Sequence, residues 1–337
     1  MNLRKEKILQ KLYSLLRGSI HPGLERITEM LRATGNPHKR FPSVHIAGTN
    51  GKGSVSSIIA SVAMESDLRT GLYTSPHISQ FGERIRINGT MISDDDLVRL
   101  AEIYLPFADS ISATFFEITT AMAFQHFAEN EVDFAVIETG MGGRADATNA
   151  LSPIASVLTS ISVDHCEYLG NSIEEIAYEK AGIIKPGVPC FAARNPEIVM
   201  KVVRDYALSV GSQLNYVPDL LRPAQVQFNK DFTTNIRFAH ADGHETEYRS
   251  PLPGRHQTEN LALALAVCEQ MAQNGFAKRD MFQRGLDNLK KNTGLFGRVE
   301  CLRADPPLVV DVSHNADGLA ALVDTLRLHS DSKLPWR

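Results

Sequence analysis

The sequence predicts an α/β protein built on a parallel sheet, and three observations carry that prediction. Strand-like apolar runs alternate with helical runs along most of the 337 residues, which is the order of a parallel sheet whose strands are connected by helices. A glycine-rich loop, GTNGKGS at 48–54, lies between a strand and a helix. Polar side chains follow several of the strands, where open parallel sheets bind their ligands.

The elements of the first half follow from the spacing of apolar residues. A period near 3.6 indicates helices, and short apolar or alternating runs indicate strands. The run DDDLVRLAEIYL opens with three acids, which the dipole of a helix favours in its first turn. In chain order we predict helices 3–17 and 23–34, strand 41–48, helix 54–66, strand 70–75, an edge strand or hairpin at 83–89, and helices 94–105 and 115–130.

The second half continues the alternation and then changes character. Ser172 and Glu175 stand at the positions of a capping box before a helix. Residues 214–250 resemble short antiparallel strands separated by turns. In chain order we predict strands 132–140 and 153–162, helix 172–184, strand 188–194, the small antiparallel portion 214–250, and helix 258–273.

The last residues predict the beginning of a second, Rossmann-like domain. The stretch 290–300 resembles a linker between domains, and 307–330 forms one strand–loop–helix unit. A single unit of this kind cannot bury both faces of its strand. We therefore expect a central domain at 1–296 and a C-terminal domain at 297–337 that is cut short or completed by a partner.

Composition excludes several classes of protein. A net charge of −4 gives no basic surface for nucleic acid. The four cysteines show neither metal-ligand spacing nor a disulfide framework. The N-terminus lacks the features of a signal peptide, and no apolar run reaches the ~18–20 residues of a membrane span. We expect a cytoplasmic protein with reduced thiols, without nucleic-acid or membrane partners.

The glycine-rich loop predicts phosphate binding, although it departs from the strict pattern G-x-x-x-x-G-K-[ST]. Ile46 replaces the first glycine, Gly53 follows Lys52, and the hydroxyl comes one residue later at Ser54. The physical requirements are still met, because glycines let backbone N–H groups approach an anion at the start of a helix. The alternative is a left-handed glycine turn with a solvated lysine.

Three polar residues at strand ends form a candidate Mg²⁺ site. Ser75, Glu138 and His165 each follow a predicted strand, so they should meet at one edge of the sheet beside the loop. A carboxylate is the ligand that Mg²⁺ prefers, and histidine is an unusual one. Taken singly, each residue is also compatible with an ordinary structural role.

Two further groups remain open from the residues alone. Lys180 lies next to Glu179 on the predicted helix 172–184, so it is either a surface ion pair of little energetic value or a functional lysine that requires burial or modification. Asp311 and His314 follow the strand of the C-terminal unit. They could contact a nucleoside across a cleft, or they could cap their own loop.

Eight ordered blocks resemble a known family over about residues 20–325. The chain is similar to folylpolyglutamate synthase and dihydrofolate synthase, the folate branch of the Mur ligase superfamily. The blocks are HIAGTNGKGSVSS, TSPHISQFGERIRING, TFFEITTAMAF, ETGMGGRADATN, SVDH with the following LG and NSIEEIAYEKAGIIK, LPGRHQTENLALA, FGRVE and VVDVSHN.

The resemblance implies a monomeric, ATP-dependent and Mg²⁺-dependent amide ligase. ATP would phosphorylate the carboxylate of a folate or dihydropteroate, and the amine of L-glutamate would displace the phosphate. Catalysis would consist of positioning and charge neutralisation, with Lys52, His165 and a carbamylated Lys180 as the catalytic residues. The implied ATP contacts are Asn50, Gly51, Lys52, Gly53, Ser54, Asn260, Arg298, Asp311 and His314. The implied metal ligands are Ser75, Glu138 and His165, and the implied pterin contacts are Thr114, Phe115, Phe116, Asp146 and Ala147.

Three other functions share some of these sequence features. A cell-wall Mur ligase would need a UDP-binding domain, and only 47 residues precede Gly48. A nucleotide-binding fragment, inactive because the C-terminal domain is short, would bind ATP without turnover. A generic P-loop kinase or ATPase gives no reason for Lys180 or for the blocks at 138–149 and 164–185.

Overall fold

The protein is described by a computed structural model that covers residues 2–17, 23–304 and 307–329. Its centre is an eight-stranded sheet of order β4-β3-β2-β5-β1-β6-β7-β8. Six strands run parallel, and β3 with β4 adds an antiparallel edge. These strands are β1 Ser43–Ala47, β2 Thr70–Tyr73, β3 Ile85–Ile87, β4 Thr90–Met91, β5 Phe134–Glu138, β6 Ala155–Leu158, β7 Cys190–Ala192 and β8 Leu214–Tyr216.

Helices cover both faces of this sheet, as a buried parallel sheet requires. On one face α3, α11, α12 and α13 pack together, and α1, α2, α4 and α6 lie on the other, with α8 and α9 beside them. The helices are α1 Asn2–Ser14, α2 Glu25–Ala33, α3 Lys52–Glu65, α4 Asp94–Tyr104, α5 Pro106–Ser110, α6 Phe115–Glu129, α7 Cys166–Leu169, α8 Ile173–Ala181, α9 Glu197–Ser209, α10 Val217–Leu220, α11 Arg255–Gln273, α12 Phe282–Asp287, α13 Leu289–Thr293 and α14 Ala316–His329.

Strand β5 shows why the sheet needs two helical layers. All five of its residues are buried, and successive side chains point to opposite faces. Phe134 and Val136 belong to the apolar cluster of α3 and α11, whereas Ala135 and Ile137 belong to that of α6. The carboxyl end of β5 therefore has a fixed position, and Glu138 with it.

Two small sheets complete the structure. The first has the order β11-β10-β9 and is antiparallel, as predicted for most of 214–250. The second pairs β12 with β13. Their strands are β9 Leu221–Phe228, β10 Thr234–His240, β11 Glu245–Ser250, β12 Glu300–Ala304 and β13 Pro307–Val310. The predicted α/β architecture, a parallel sheet flanked by helices with a small antiparallel portion, is confirmed.

The helix predicted at 54–66 and the antiparallel portion predicted at 214–250 differ from the structure. Helix α3 begins at Lys52, two residues before the predicted start, because Gly51 in the left-handed region (φ 91°) ends the loop. Residues 214–216 join the main sheet in parallel and 217–220 are helical. The antiparallel prediction is wrong there, since Pro218 favours the first turn of a helix.

The C-terminal unit also differs from its prediction. The stretch 290–300 is not an extended linker, because helix α13 occupies its start and β12 begins at Glu300. Strand β13 pairs with β12, so the prediction of a lone strand–loop–helix unit is wrong. Within the described part of the chain, no helix is long and apolar enough to cross a membrane.

Candidate active site

The loop between β1 and α3 has the geometry of an anion site. Its turn uses positive φ at Gly48 (149°) and Gly51 (91°). A Cβ at Gly51 would lie 2.3 Å from Oδ1 of Asn260, so a larger residue does not fit. Lys52 Nζ donates to the carbonyl oxygens of Gly48 and Thr49, each at 3.1 Å. The loop thus places a cation and the amides of a helix start around one small space.

Ser54 supplies a buried hydroxyl in the first turn of α3. Its Oγ is buried and makes no hydrogen bond among the described residues. A buried hydroxyl without a partner is costly. Because Ser54 belongs to the first turn of α3, a phosphate oxygen or a hydrated cation at the loop would satisfy it.

Lys180 points into the same loop from α8. Its side chain is only 2% exposed, and Nζ donates to the Gly48 carbonyl at 2.9 Å. Burial, followed by the charge of Lys52, lowers the pKa of Lys180 to about 7. Glu179 pairs with Arg144 at 2.7 Å instead, so the surface ion pair between Glu179 and Lys180 does not form.

Glu138 and Ser75 meet at the ends of β5 and β2. The carboxylate of Glu138 accepts a hydrogen bond from the Ser75 backbone N–H at 3.2 Å. Glu138 is 4% exposed. Burial raises its pKa, while Lys52, the Ser75 amide and Arg298 act in the opposite direction. Oε2 of Glu138 would lie 3.9 Å from a Cβ at Gly53, so this carboxylate lies beside the glycine-rich loop, and carboxylate oxygens are ligands that suit Mg²⁺.

His165 lies apart from these two residues. It precedes α7 with a left-handed backbone (φ 51°), its side chain is 47% exposed, and Nε2 lies 3.8 Å from the Asp164 carboxylate. In the described ranges no hydrogen bond or ion pair joins it to Ser75 or Glu138. Among the described residues of the whole protein, no cluster of three or more His, Cys, Asp or Glu side chains is arranged to hold a metal ion. The structure thus brings Ser75 and Glu138 together without His165.

The glycine-rich turn after β5 is held by Asp146. One carboxylate oxygen accepts from the backbone N–H groups of Gly140 and Met141, each at 2.9 Å. The other accepts from the N–H of Thr148 at 3.0 Å and from its hydroxyl. Asp146 and its buried neighbour Ala147 therefore shape the turn rather than present free polar groups.

The predicted aromatic contacts lie at the start of α6. Thr114 caps the helix, since its hydroxyl accepts from the Glu117 N–H at 3.3 Å. Phe115 is buried. The ring of Phe116 is partly exposed, and its Cζ would lie 2.5 Å from a Cβ at Gly140, so the tip of the ring packs against the glycine turn. Of these residues, Phe116 offers the accessible ring.

The C-terminal unit approaches the loop from the other side. Nη2 of Arg298 would lie 3.1 Å from a Cβ at Gly53. The Asp311 carboxylate accepts from the N–H groups of Val299 and Ser313, each at 2.8 Å, and thereby shapes its own loop. His314 is exposed. Arg298 thus reaches the glycine-rich loop, whereas Asp311 bonds within its own loop and His314 is exposed.

Two polar contacts at this site were missed from the sequence. Asn50 and Asn315 donate to each other's side-chain oxygens at 3.2 and 3.0 Å. Asn315 directly follows His314 in the block VVDVSHN, which was the available signal. The second missed residue is Arg84, an 8% exposed arginine beside Ser75. The alternation of residues 83–89 predicts only an edge strand or hairpin there and gives Arg84 no role.

Comparison with known proteins decides the family. The Mur ligase middle domain matches residues 46–268. A "Dihydrofolate synthase/folylpolyglutamate synthase" of Bacillus subtilis is 35% identical over 94% of this chain and 74% of its own length. The chain belongs to the folate branch of the Mur ligase family. The "Folylpolyglutamate synthase" of Lacticaseibacillus casei is 33% identical over 90% of this chain and 72% of its own length.

Solved structures of this folate ligase family agree with the fold. A complex described as "FPGS-AMPPCP-folate complex" superposes with a TM-score of 0.89 at 31% identity, covering 97% of this chain and 81% of that one. The Mycobacterium tuberculosis folylpolyglutamate synthase complexed with ADP and AMPPCP gives a TM-score of 0.85 at 33% identity, covering 97% and 75%.

These likenesses confirm the resemblance found in the sequence and the enzyme class, a ligase that joins an acid to an amino acid. These relatives are named as folate synthases, and they match nearly all of this chain. The matches therefore favour the folate branch over a cell-wall ligase. They give no support to the alternative of an inactive nucleotide-binding fragment.

Proposed function

We propose that this enzyme uses ATP and Mg²⁺ to join L-glutamate to dihydropteroate and to reduced folates. The observation that carries the proposal is the pair of lysines on one carbonyl: Lys52 and the buried Lys180 both donate to Gly48, beside the Glu138 carboxylate. This arrangement of charge suits a nucleotide whose terminal phosphate is transferred.

The phosphate loop would hold the triphosphate. The triphosphate would contact the backbone of Asn50, Gly51 and Gly53. Lys52 and the Ser54 hydroxyl would complete the phosphate contacts. Arg298 and Asn260 approach it from outside the loop. Asp311 and His314, on the C-terminal unit at 297–337, would contact the nucleoside across the junction with the central domain at 1–296.

Ser75 and Glu138 would hold Mg²⁺. The resemblance implies His165 as the third ligand, although its exposed ring makes no contact with the other two in the structure. When bound, Mg²⁺ neutralises charge on the phosphate oxygens. Lys180 would be carbamylated, because its lowered pKa supplies the neutral amine that reacts with carbon dioxide. The product is an anion, which reverses the charge beside the loop.

The reaction then follows in two steps. An oxygen of the acceptor carboxylate attacks the γ-phosphorus of ATP, and ADP leaves with the electrons of the broken bond. The amine of L-glutamate attacks the resulting acyl phosphate, loses a proton, and inorganic phosphate leaves. The chain's contribution is to align the two substrates and to balance the charge that develops.

The pterin end of the acceptor would lie against α6 and the glycine turn. Phe116 offers a ring for stacking, while Phe115 supports it from the core. Thr114, Asp146 and Ala147 would contact the pterin through the surface that they shape, since the polar side chains of Thr114 and Asp146 serve the backbone.

The test of the proposal is glutamylation of two acceptors by the purified protein. Radiolabelled L-glutamate is supplied with ATP and Mg²⁺ and with either dihydropteroate or tetrahydrofolate, and the pterin products are separated. Label in both products is the expected result. Label in one product alone would restrict the enzyme to that acceptor, and label in neither would refute the proposal.

A further inference from the structure

Arg84 is a buried arginine at the edge of the candidate site. It immediately precedes β3, and its carbonyl accepts from the Thr74 backbone N–H at 3.1 Å. That contact sets Arg84 next to Ser75. Only 8% of the residue is exposed, so the guanidinium has lost most of its hydration.

Among the residues that the structure describes, Arg84 forms no ion pair with an acidic side chain. Its Nε donates to Nδ1 of His77 at 2.8 Å, and its Cζ lies 5.3 Å from the ring centroid of Phe115. Across residues 2–17, 23–304 and 307–329, its two terminal nitrogens make no hydrogen bond and no ion pair. Buried charges are normally paired because an unpaired one is costly.

His77 and Tyr13 fix the direction of this guanidinium. Since Nδ1 of His77 accepts from Arg84, Nε2 carries the proton and donates to the Tyr13 hydroxyl at 3.3 Å. The fork of Arg84 is thus oriented before any ligand binds.

The surroundings of Arg84 indicate what it would bind. On one side is the aromatic ring of Phe115, next to the accessible Phe116, and on the other are Ser75 and Glu138. Arg84 is close enough to Glu138 for its charge to act on that carboxylate. A ligand that spans these two sides has an aromatic part near α6 and an acidic part near the phosphate loop.

We propose that the guanidinium of Arg84 binds the carboxylate of the pterin acceptor, the group that ATP activates. This inference rests on the proposed function and deepens it. A planar guanidinium with two unpartnered nitrogens matches a carboxylate in a two-point contact. Arg84 therefore selects acceptors that carry a free acid and holds the reacting oxygen beside the phosphate loop.

The test compares an acid with its neutral analogue. Binding of dihydropteroate and of its carboxamide is measured by calorimetry, without ATP turnover, for the wild type and for Arg84→Gln. The wild type is expected to prefer the acid by about 10–100-fold. In Arg84→Gln the preference should fall to within about 3-fold, through loss of acid binding and not of carboxamide binding. A purely structural role would weaken both ligands equally.

Arg86→Gln is the matched control. Arg86 lies two residues further on, on β3, where its Nη1 already donates to the Gly89 carbonyl at 2.9 Å, so its removal should leave the preference unchanged. Arg84→Lys keeps the positive charge but lacks the planar guanidinium, so its preference for the acid over the carboxamide should be intermediate. This variant also tests the inference if Arg84→Gln folds poorly.

An unchanged preference in both Arg84 variants, or no preference in the wild type, would overturn the inference. Glutamate ligation by the wild type is assayed in parallel and separates the two proposals. If the wild type ligates while the preference survives in the variants, the inference alone fails. If the wild type does not ligate, the proposed function fails.

Discussion

The two sides of the candidate site are built differently. The side formed by the central sheet carries charged groups that burial immobilises: Lys180 is 2% and Glu138 is 4% exposed. On the side formed by the C-terminal unit, Asp311 is half-buried and His314 is exposed. The positions of the side chains on the first side are fixed before a ligand binds, whereas the exposed side chains on the second side can adjust to a ligand. We expect the first side to govern chemistry and the second to govern nucleotide affinity.

The largest expected effect comes from Lys180→Met. The methionine can form neither the ammonium nor the carbamate of Lys180, so the rate of ligation should fall by about 10³-fold. The free energy of unfolding should rise by about 1–2 kcal/mol at pH 7, because burying the lysine is unfavourable. Steady-state kinetics and urea denaturation measure the two effects.

Lys185→Met is the control for this substitution. Lys185 is half-buried and bonds the Asn149 carbonyl at 2.9 Å, away from the loop, so activity should stay within about 3-fold. A loss of activity in Lys185→Met equal to that of Lys180→Met would contradict a special role for Lys180.

Glu138→Gln should have the next largest effect. The amide keeps an oxygen for the Ser75 N–H, so folding should change little, but the negative charge is lost. We expect kcat/KM to fall by about 10²–10³-fold and the Mg²⁺ concentration needed for half-maximal rate to rise. Glu179→Gln, at the ion pair with Arg144, should do neither, and an equal loss there would argue against the metal site.

The pH dependence of activation follows from the pKa of Lys180. Carbamylation needs the neutral amine, and a pKa of about 7 makes that form abundant as the pH rises through 7. Protein freed of bicarbonate should regain activity on adding bicarbonate, with the rate rising between about pH 6 and 8. A reactivation rate that rises only above about pH 9 would instead indicate a solvent-exposed lysine with an ordinary pKa.

A smaller effect is expected where the two sides touch. Asn315→Asp keeps the oxygen that caps α14 at the Gly318 N–H, 2.9 Å away, but removes the N–H group donated to Asn50. The KM for ATP should rise by about 3–10-fold with kcat nearly unchanged. A change in kcat alone would show that this contact acts on chemistry instead.

The smallest effect should follow from His314→Ala. The side chain is exposed and its Nδ1 lies 3.1 Å from the Val312 carbonyl. Stability should change by less than about 0.5 kcal/mol, and the KM for ATP by less than about 5-fold. A decrease in kcat as large as that of Glu138→Gln would contradict the claim that only the side formed by the central sheet governs chemistry.

The sequence predicted what depends on local pattern. Periodicity predicted the central strands, and the glycines predicted the turn that precedes α3, because both signals lie in neighbouring residues. The capping box at Ser172 was also found correctly. The sequence does not match the strict pattern G-x-x-x-x-G-K-[ST], yet the loop still precedes a helix. A glycine turn at the start of a helix can form with more than one spacing of its glycines.

Contacts between distant residues could not be predicted in this way. The burial of Lys180 depends on its approach to Gly48, 132 positions away, and neighbouring Glu179 suggested a different partner. The Asn50–Asn315 contact spans 265 positions. Strand 214–216 was assigned to the wrong sheet because three residues carry too little pattern to choose a partner. These features come from tertiary packing.

The most direct test of the central claim is ADP release by the purified 337-residue protein. ATP, Mg²⁺, L-glutamate and dihydropteroate or tetrahydrofolate are supplied together, and each is then omitted in turn. We predict release that requires both glutamate and a pterin acceptor, because the acyl phosphate forms on one and is consumed by the other. Release that persists without either substrate, or no release with all of them present, would contradict the account.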